Sequence, residues 1–95
     1  MVRFSVFYPA AEGAKFDHDY YRDSHVPLCV KTWSPIDAVI ERGVDGPYVA
    51  AVHLTFDSVD AMQAAMGVEG TGDVLMDVAN YTDITPITQV SEIVT

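Results

Sequence analysis

YVAAVHLTF, residues 48 to 56, is the stretch on which the reading of the fold turns. Its residues are β-prone and alternate cleanly. Tyr48, Ala50, Val52, Leu54 and Phe56 face one way, and Val49, Ala51, His53 and Thr55 face the other. Both sets are largely apolar, so this is a central strand expected to be covered on both sides. Working upstream, Asp45-Gly46-Pro47 is a turn, and Ile36 to Gly43 (IDAVIERG) reads as the neighbouring strand. Downstream, Asp57-Ser58 caps a helix, with Asp60 at the third position if Asp57 is the cap. Val59, Met62 and Met66 mark its inner face and Gly67 closes it.

The outer segments complete the pattern. Val2, Phe4, Val6 and Tyr8 alternate with Arg3, Ser5 and Phe7 in an opening strand, and Pro9 to Gly13 turn out of it. At the other end, Glu69 to Asp73 is a loop, and a short helix from Asp73 through Ala79 is expected to bury Val74, Leu75 and Val78. Asn80 to Asp83 is a turn, and Ile84 to Thr95 is a last, long strand. The remaining stretch, Phe16 to Lys31 (FDHDYYRDSHVPLCVK), is a helix capped by Asp17 and stopped at Ser34-Pro35. Strand, helix, strand, strand, helix, strand is the ferredoxin-like α+β order: four antiparallel strands with the helices on one face. The 95 residues form a single domain, 1–95.

That arrangement leaves one sheet face bare although it carries Phe7, Val49 and Ala51. A bare apolar sheet face exceeds what a monomer usually tolerates, so a homodimer burying the two faces together is expected. Five basic against fourteen acidic residues give a formal charge of −9. Such a balance speaks against nucleic acid and anionic membrane as partners. Cys29 is the single cysteine, with no internal partner for a disulfide, and no charged-then-apolar leader pattern opens the chain. A cytoplasmic setting is the expectation.

The helix at 16–31 carries the chemistry. Tyr21, His25, Leu28 and Thr32 fall on one face of a regular helix, placing an imidazole between a phenol and apolar groups. Yet Tyr20 and Tyr21 point almost opposite to Val26, Val30 and Trp33, and Pro27 would clash inside an unbroken helix. A kink near Ser24–Val26 is therefore expected, freeing backbone acceptors near His25. Burial would hold His25 neutral and able to take a proton, with Tyr20 or Tyr21 as phenolic donor. The pocket is expected between this helix and the sheet, walled by Phe4, Trp33 and Tyr81. The alternative is His25 clamped on a carbonyl freed by Pro27. His53 is expected to face the barrel interior at the dimer seam, as an interface residue or a part of the substrate site. His18 reads as surface and Cys29 as a small buried hydrophobe.

Three stretches carry a resemblance. Phe16-Asp17, Tyr20-Tyr21, His25 and Pro27-Leu28 form the pattern F-D-x-x-Y-Y-x-x-x-H-x-P-L, and Pro47–Ala65 and Asn80–Ile93 extend it. Together they resemble the EthD family, named for ethyl tert-butyl ether degradation, within the dimeric α+β barrel group. The resemblance implies a ferredoxin-like protomer whose sheet joins a second copy's. The founding member accompanies a P450 ether-degrading system. More distant relatives include muconolactone isomerases, cofactor-free monooxygenases and polyketide cyclases.

Several other chemistries have no support in the sequence. His18 and His25 are two helical turns apart, roughly 10 Å, too far to share a metal ion. Gly70-Thr71-Gly72 is no nucleotide-binding fingerprint, and no serine sits in a nucleophile elbow. No haem ligand can be matched, so neither cofactor nor metal is expected. Two functions remain. One is a small cofactor-free enzyme acting on an oxygenated hydrophobic or aromatic metabolite, with His25 as acid–base and a tyrosine as partner. Its reaction would be of the isomerase, cyclase or dehydratase type, or an oxidative degradation related to ether catabolism. The other is a non-catalytic carrier or accessory protein that delivers such a compound to an oxygenase.

Overall fold

The alternating segments become a four-stranded antiparallel sheet in the computed structural model, which describes residues 1–95. Its strands are β1 (Val2–Pro9), β2 (Asp37–Arg42), β3 (Tyr48–Phe56) and β4 (Ile87–Glu92), in the spatial order β2-β3-β1-β4. This is the ferredoxin-like arrangement, with β1 and β3 at the centre. Phe4 pairs with Leu54, Val6 with Val52 and Tyr8 with Ala50, and paired residues share a face. That face is the floor beneath the helices. The opposite face carries Ser5 beside His53 and Phe7 beside Ala51.

The helical layer has several parts. α1 (His18–Tyr20), a π turn (Tyr21–His25) and α2 (Val26–Trp33) run on from one another. α3 (Val59–Met66) succeeds β3, and α4 (Thr71–Asp77) leads into a 3₁₀ turn (Val78–Asn80). Asp17 caps α1, its carboxylate accepting from the Tyr20 amide at 3.0 Å. Ser34 ends α2 in the left-handed region at φ 49°, its N–H donating to Val30 O, a conformation an L-residue adopts at a cost of about 1–2 kcal/mol.

The expected kink is a π turn, and it changes which residues face inward. The Val26 amide donates to Tyr21 O, five residues back, where an α-helix would use Arg22. The extra residue rotates all of α2 relative to α1. Tyr21, His25, Val26, Cys29 and Trp33 are therefore buried together, while Leu28 and Thr32 are only half-buried. The widened turn also accommodates Pro27, near the start of α2, because its missing amide would have served the tight α pattern. Tyr21 and Val26, which a regular helix would place on different sides, thus share one core.

Other boundaries shift for local reasons. Ser58, not Asp57, caps α3, with Oγ accepting from the Ala61 amide at 3.1 Å. That places Val59 at the first helical position, where it stays exposed, and leaves Met62 as the buried residue. α4 begins at Thr71 rather than Asp73. Val74 is buried but Leu75 is 65 % exposed. β4 spans Ile87–Glu92 rather than Ile84–Thr95, because the Ile84 amide turns to Thr82 Oγ1 and Pro86 has no amide to give. No helix is long and apolar enough to cross a membrane.

The core concentrates on one aromatic nucleus. Tyr8, Phe16, Tyr21, Tyr81 and His25 pack with ring centroids 4.5–6.0 Å apart in the contacts that join them. Burying side chains of this size contributes about 1.5–3 kcal/mol each. β3 is covered even on its bare side: Ala51 and Thr55 are buried by larger neighbours.

Candidate functional site

His25 closes the π turn, so its ring leaves the helix just where the turn is widest. α4 lies across this point. Gly70 permits the approach: a Cβ there would sit 2.9 Å from Thr32 Cγ2. Trp33 Nε1 donates to Thr71 Oγ1 at 2.8 Å, and that hydroxyl donates to Met66 O at 2.9 Å, fixing the start of α4. Two turns later the helix delivers Asp77 to His25.

The contact is a hydrogen bond of 2.9 Å from His25 Nδ1 to Asp77 Oδ2. The alternative reading, His25 clamped on a carbonyl freed by Pro27, is thereby replaced by a carboxylate. Tyr20 Oη and Asn80 Nδ2 donate to the other oxygen, Oδ1, at 2.7 and 2.8 Å. Burial pushes the Asp77 carboxyl up, but the hydrogen bonds from Tyr20, Asn80 and His25 outweigh it and hold it below the ordinary carboxylate range. An ionised carboxylate can only accept, so Nδ1 carries the proton of neutral His25 and Nε2 keeps its lone pair. Nε2 has no protein partner. Burial lowers the His25 pKa below its ordinary 6.5, and Asp77 pulls it only part of the way back. The imidazole is neutral at pH 7.

The ring borders an apolar cavity of about 110 Å³ between helices and sheet, lined by Phe4, Val6, Tyr21, Trp33, Leu54 and Val74 among others. Phe4 and Trp33 meet edge to face at 6.4 Å. Tyr21 stacks on His25 at 5.5 Å and 15°. Its hydroxyl is buried and makes no hydrogen bond, and burial drives its pKa far above the usual phenol value. Tyr81 stands behind the cavity wall, with its ring 4.5 Å from His25 and its hydroxyl 2.6 Å from Tyr8 Oη. Burial raises the Cys29 thiol to about 12, so it is inert at neutral pH.

The structure therefore gathers His25, Tyr21, Phe4 and Trp33 around one cavity, sets Tyr81 against the imidazole and puts Tyr20 on the far side of Asp77. His53 is not among them. It lies on the bare sheet face, where Nδ1 is 2.7 Å from Ser5 Oγ and Nε2 is 2.8 Å from Glu41 Oε1. A wider hollow of about 470 Å³ on that side, bordered by Phe7, Arg42, Val44 and Tyr48, is open to solvent and remote from His25. The residue that sequence reasoning missed is Asp77. Its signal was present: with Val74, Val78 and Tyr81 it falls at i, i+3, i+4 and i+7, an acid on the inward stripe of a short helix.

Fold and site together define a ferredoxin-like α+β protein with an apolar cavity between helices and sheet, bordered by a histidine that a carboxylate holds. The chain belongs to the EthD family: an EthD-like protein of Ralstonia eutropha JMP134 superposes with a TM-score of 0.91 at 37 % identity, covering 99 % of this chain and 92 % of that one. An ethyl tert-butyl ether degradation (EthD) family protein of Bacillus halodurans C-125 matches at 19 % identity and TM-score 0.79, over 99 % of both chains. SnoaB of Streptomyces nogalater, a cofactor-independent oxygenase, shares the fold at 10 % identity and TM-score 0.68, over 99 % of this chain and 93 % of that one. No family model matches the chain, and no curated protein matches it by sequence.

Proposed function

We propose that this protein is a small cofactor-free enzyme that moves a proton on an oxygenated hydrophobic or aromatic compound. One observation carries the reading: Asp77 holds His25 by Nδ1, and the imidazole, whose Nε2 has no protein partner, borders an apolar cavity. His25 is the acid–base, and Tyr21 supplies the donor that polarises the substrate oxygen. Asp77 and Tyr20 are positioning residues, acting through the imidazole. Phe4 and Trp33 shape the cavity and Tyr81 backs the His25 ring. Oxidative degradation of ethers, the setting for which the family is named, is the other enzymatic form of this reading. A carrier that hands its ligand to an oxygenase is the competing one, favoured by how apolar the cavity lining is.

The active unit is a homodimer in which two copies bury their bare sheet faces. Supporting this, Val39 and Ile87 are exposed on that face, beside half-buried Phe7 and Val49. Light scattering is expected to give twice the 10.4 kDa chain mass; a monomer at micromolar concentration contradicts it. The lone, buried Cys29 suits a reducing, cytoplasmic setting. Mass spectrometry of small molecules retained by the purified protein, repeated on His25→Ala, tests the functional reading. A compound retained by both and consumed only by the native protein supports the enzyme. A compound held by both and consumed by neither supports the carrier.

A further inference from the structure

The residues around the cavity differ in exposure, and the difference shows where the cavity meets water. His25, Cys29, Trp33, Val52 and Leu54, from the π turn, α2 and β3, are buried. Leu75 of α4 and Thr88 of β4 border the same cavity and are exposed. Strand register explains the gap. Thr88 pairs with Val6 and Val90 with Phe4, so all four lie on the helix side of the sheet. Thr88 and Val90 are nevertheless exposed, because the helical layer stops short of this edge. α4 is seven residues long and turns Val74 inward, which leaves Leu75 at its margin. The cavity therefore opens between α4 and β4, with Leu75 on one side of the mouth and Thr88 on the other.

Charge adds a second property to this mouth. Arg42 is the last basic residue of the chain, so neither α4 nor β4 carries a Lys or Arg, whereas Asp73, Asp77 and Glu92 stand on them. The lining within is largely apolar and likewise holds no Lys or Arg. An anion entering here would give up its hydration with no cation to replace it. A neutral compound loses little on the same path and gains the burial of its apolar surface. Resting on the reading of this cavity as the ligand site, we infer that Leu75 and Thr88 are its gate, admitting neutral apolar compounds toward His25 and turning anions away. Leu75 sets the width of the opening. Thr88 stands where a base would be needed to draw an anion in. Both decide which compounds reach the imidazole and neither touches the proton transfer.

Trp33 reports the passage directly, because it lines the cavity and is the only tryptophan of the chain. Trichloroethanol and trichloroacetate share one quenching group for its fluorescence and differ in charge. In the native protein trichloroethanol is expected to quench about tenfold or more strongly than trichloroacetate. Thr88→Lys should raise quenching by trichloroacetate about threefold. Val44→Lys adds the same charge on the exposed β2–β3 turn and should not. Leu75→Ala should raise quenching by trichloroethanol, and Met76→Ala, at an exposed neighbour that does not border the cavity, should leave it unchanged. All four substitutions fall on exposed positions, and matched circular dichroism checks that the fold is kept. Equal quenching by the two compounds in the native protein, equal effects of the two lysines, or equal effects of the two alanines would each overturn the gate alone. So would a change in light-scattering mass confined to Leu75→Ala and Thr88→Lys, which would make the mouth a contact between copies. Trichloroethanol that fails to quench native Trp33 would overturn the gate together with the functional reading on which it rests.

Discussion

Each side of the sheet carries one histidine with a carboxylate partner at nearly the same distance, 2.9 Å for His25–Asp77 and 2.8 Å for His53–Glu41. Their surroundings and their second nitrogens differ. Beneath the helices both partners are largely withdrawn from water, at 5 and 13 % side-chain exposure, whereas Glu41 on the bare face is 57 % exposed. Screening makes an exposed pair worth little, while a buried one fixes geometry. The number of free ring nitrogens matters more. Ser5 and Glu41 occupy both nitrogens of His53, but Asp77 occupies one nitrogen of His25 and leaves the other without a protein partner, on a ring that borders the cavity. A histidine tied at both ends has no lone pair to offer; one tied at a single end keeps one free.

Paired substitutions break or sharpen that contrast. His25→Gln is expected to cut turnover of a bound substrate by about 10²–10⁴-fold, the usual worth of a positioned acid–base. His53→Gln should leave turnover per folded chain within about twofold, since both of its nitrogens are held on the opposite sheet face. Equal losses in the two variants, measured on material of matched mass and circular dichroism, would erase the distinction.

Asp77→Asn comes next in size. It removes a charge-assisted partner that contributes about 1.5–3 kcal/mol, so a loss of roughly tenfold or more is expected. The pH profile separates positioning from mere structure. Asp77 raises the His25 pKa against the lowering by burial, so its removal lets that pKa fall further. The limb on which activity rises with pH should then move to lower pH; an unmoved limb would assign Asp77 a purely structural role.

Tyr21→Phe is the mildest change and should act in opposite senses on stability and function. Deleting a buried hydroxyl that has no partner should stabilise the fold by about 1 kcal/mol. A denaturant midpoint that falls instead would mean that this hydroxyl is satisfied within the protein.

The sheet was readable because strand periodicity survives any tertiary context that covers one or both faces. β1 and β3 sit where alternation puts them, and His53 points to the side opposite Leu54. The helix at 18–33 was harder. Its two apolar stripes, Tyr20-Tyr21 and Val26-Trp33, contradict one another on a regular wheel, and that contradiction is itself the mark of an inserted residue. Pro27 announced a disturbance, but proline alone does not say whether a helix kinks or widens. Leu75 was misplaced because short helices carry too few turns to fix a face. Asp77 was missed for a different reason. Fifty-two positions separate it from His25, and the two are brought together by the packing of Gly70 on Thr32, a contact that periodicity does not encode.

The central claim is a neutral imidazole with its proton on Nδ1 and its lone pair on Nε2. Nitrogen-15 NMR of the His25 ring, tracked through pH, reads both directly. The account predicts the Nδ1–H tautomer at pH 7 and a pKa below the ordinary value of about 6.5. The unfolded chain then takes the proton first, so this residue's contribution to stability falls as pH drops from about 6.5 toward the folded pKa. An Nε2–H tautomer, or a pKa at or above 6.5, would contradict it.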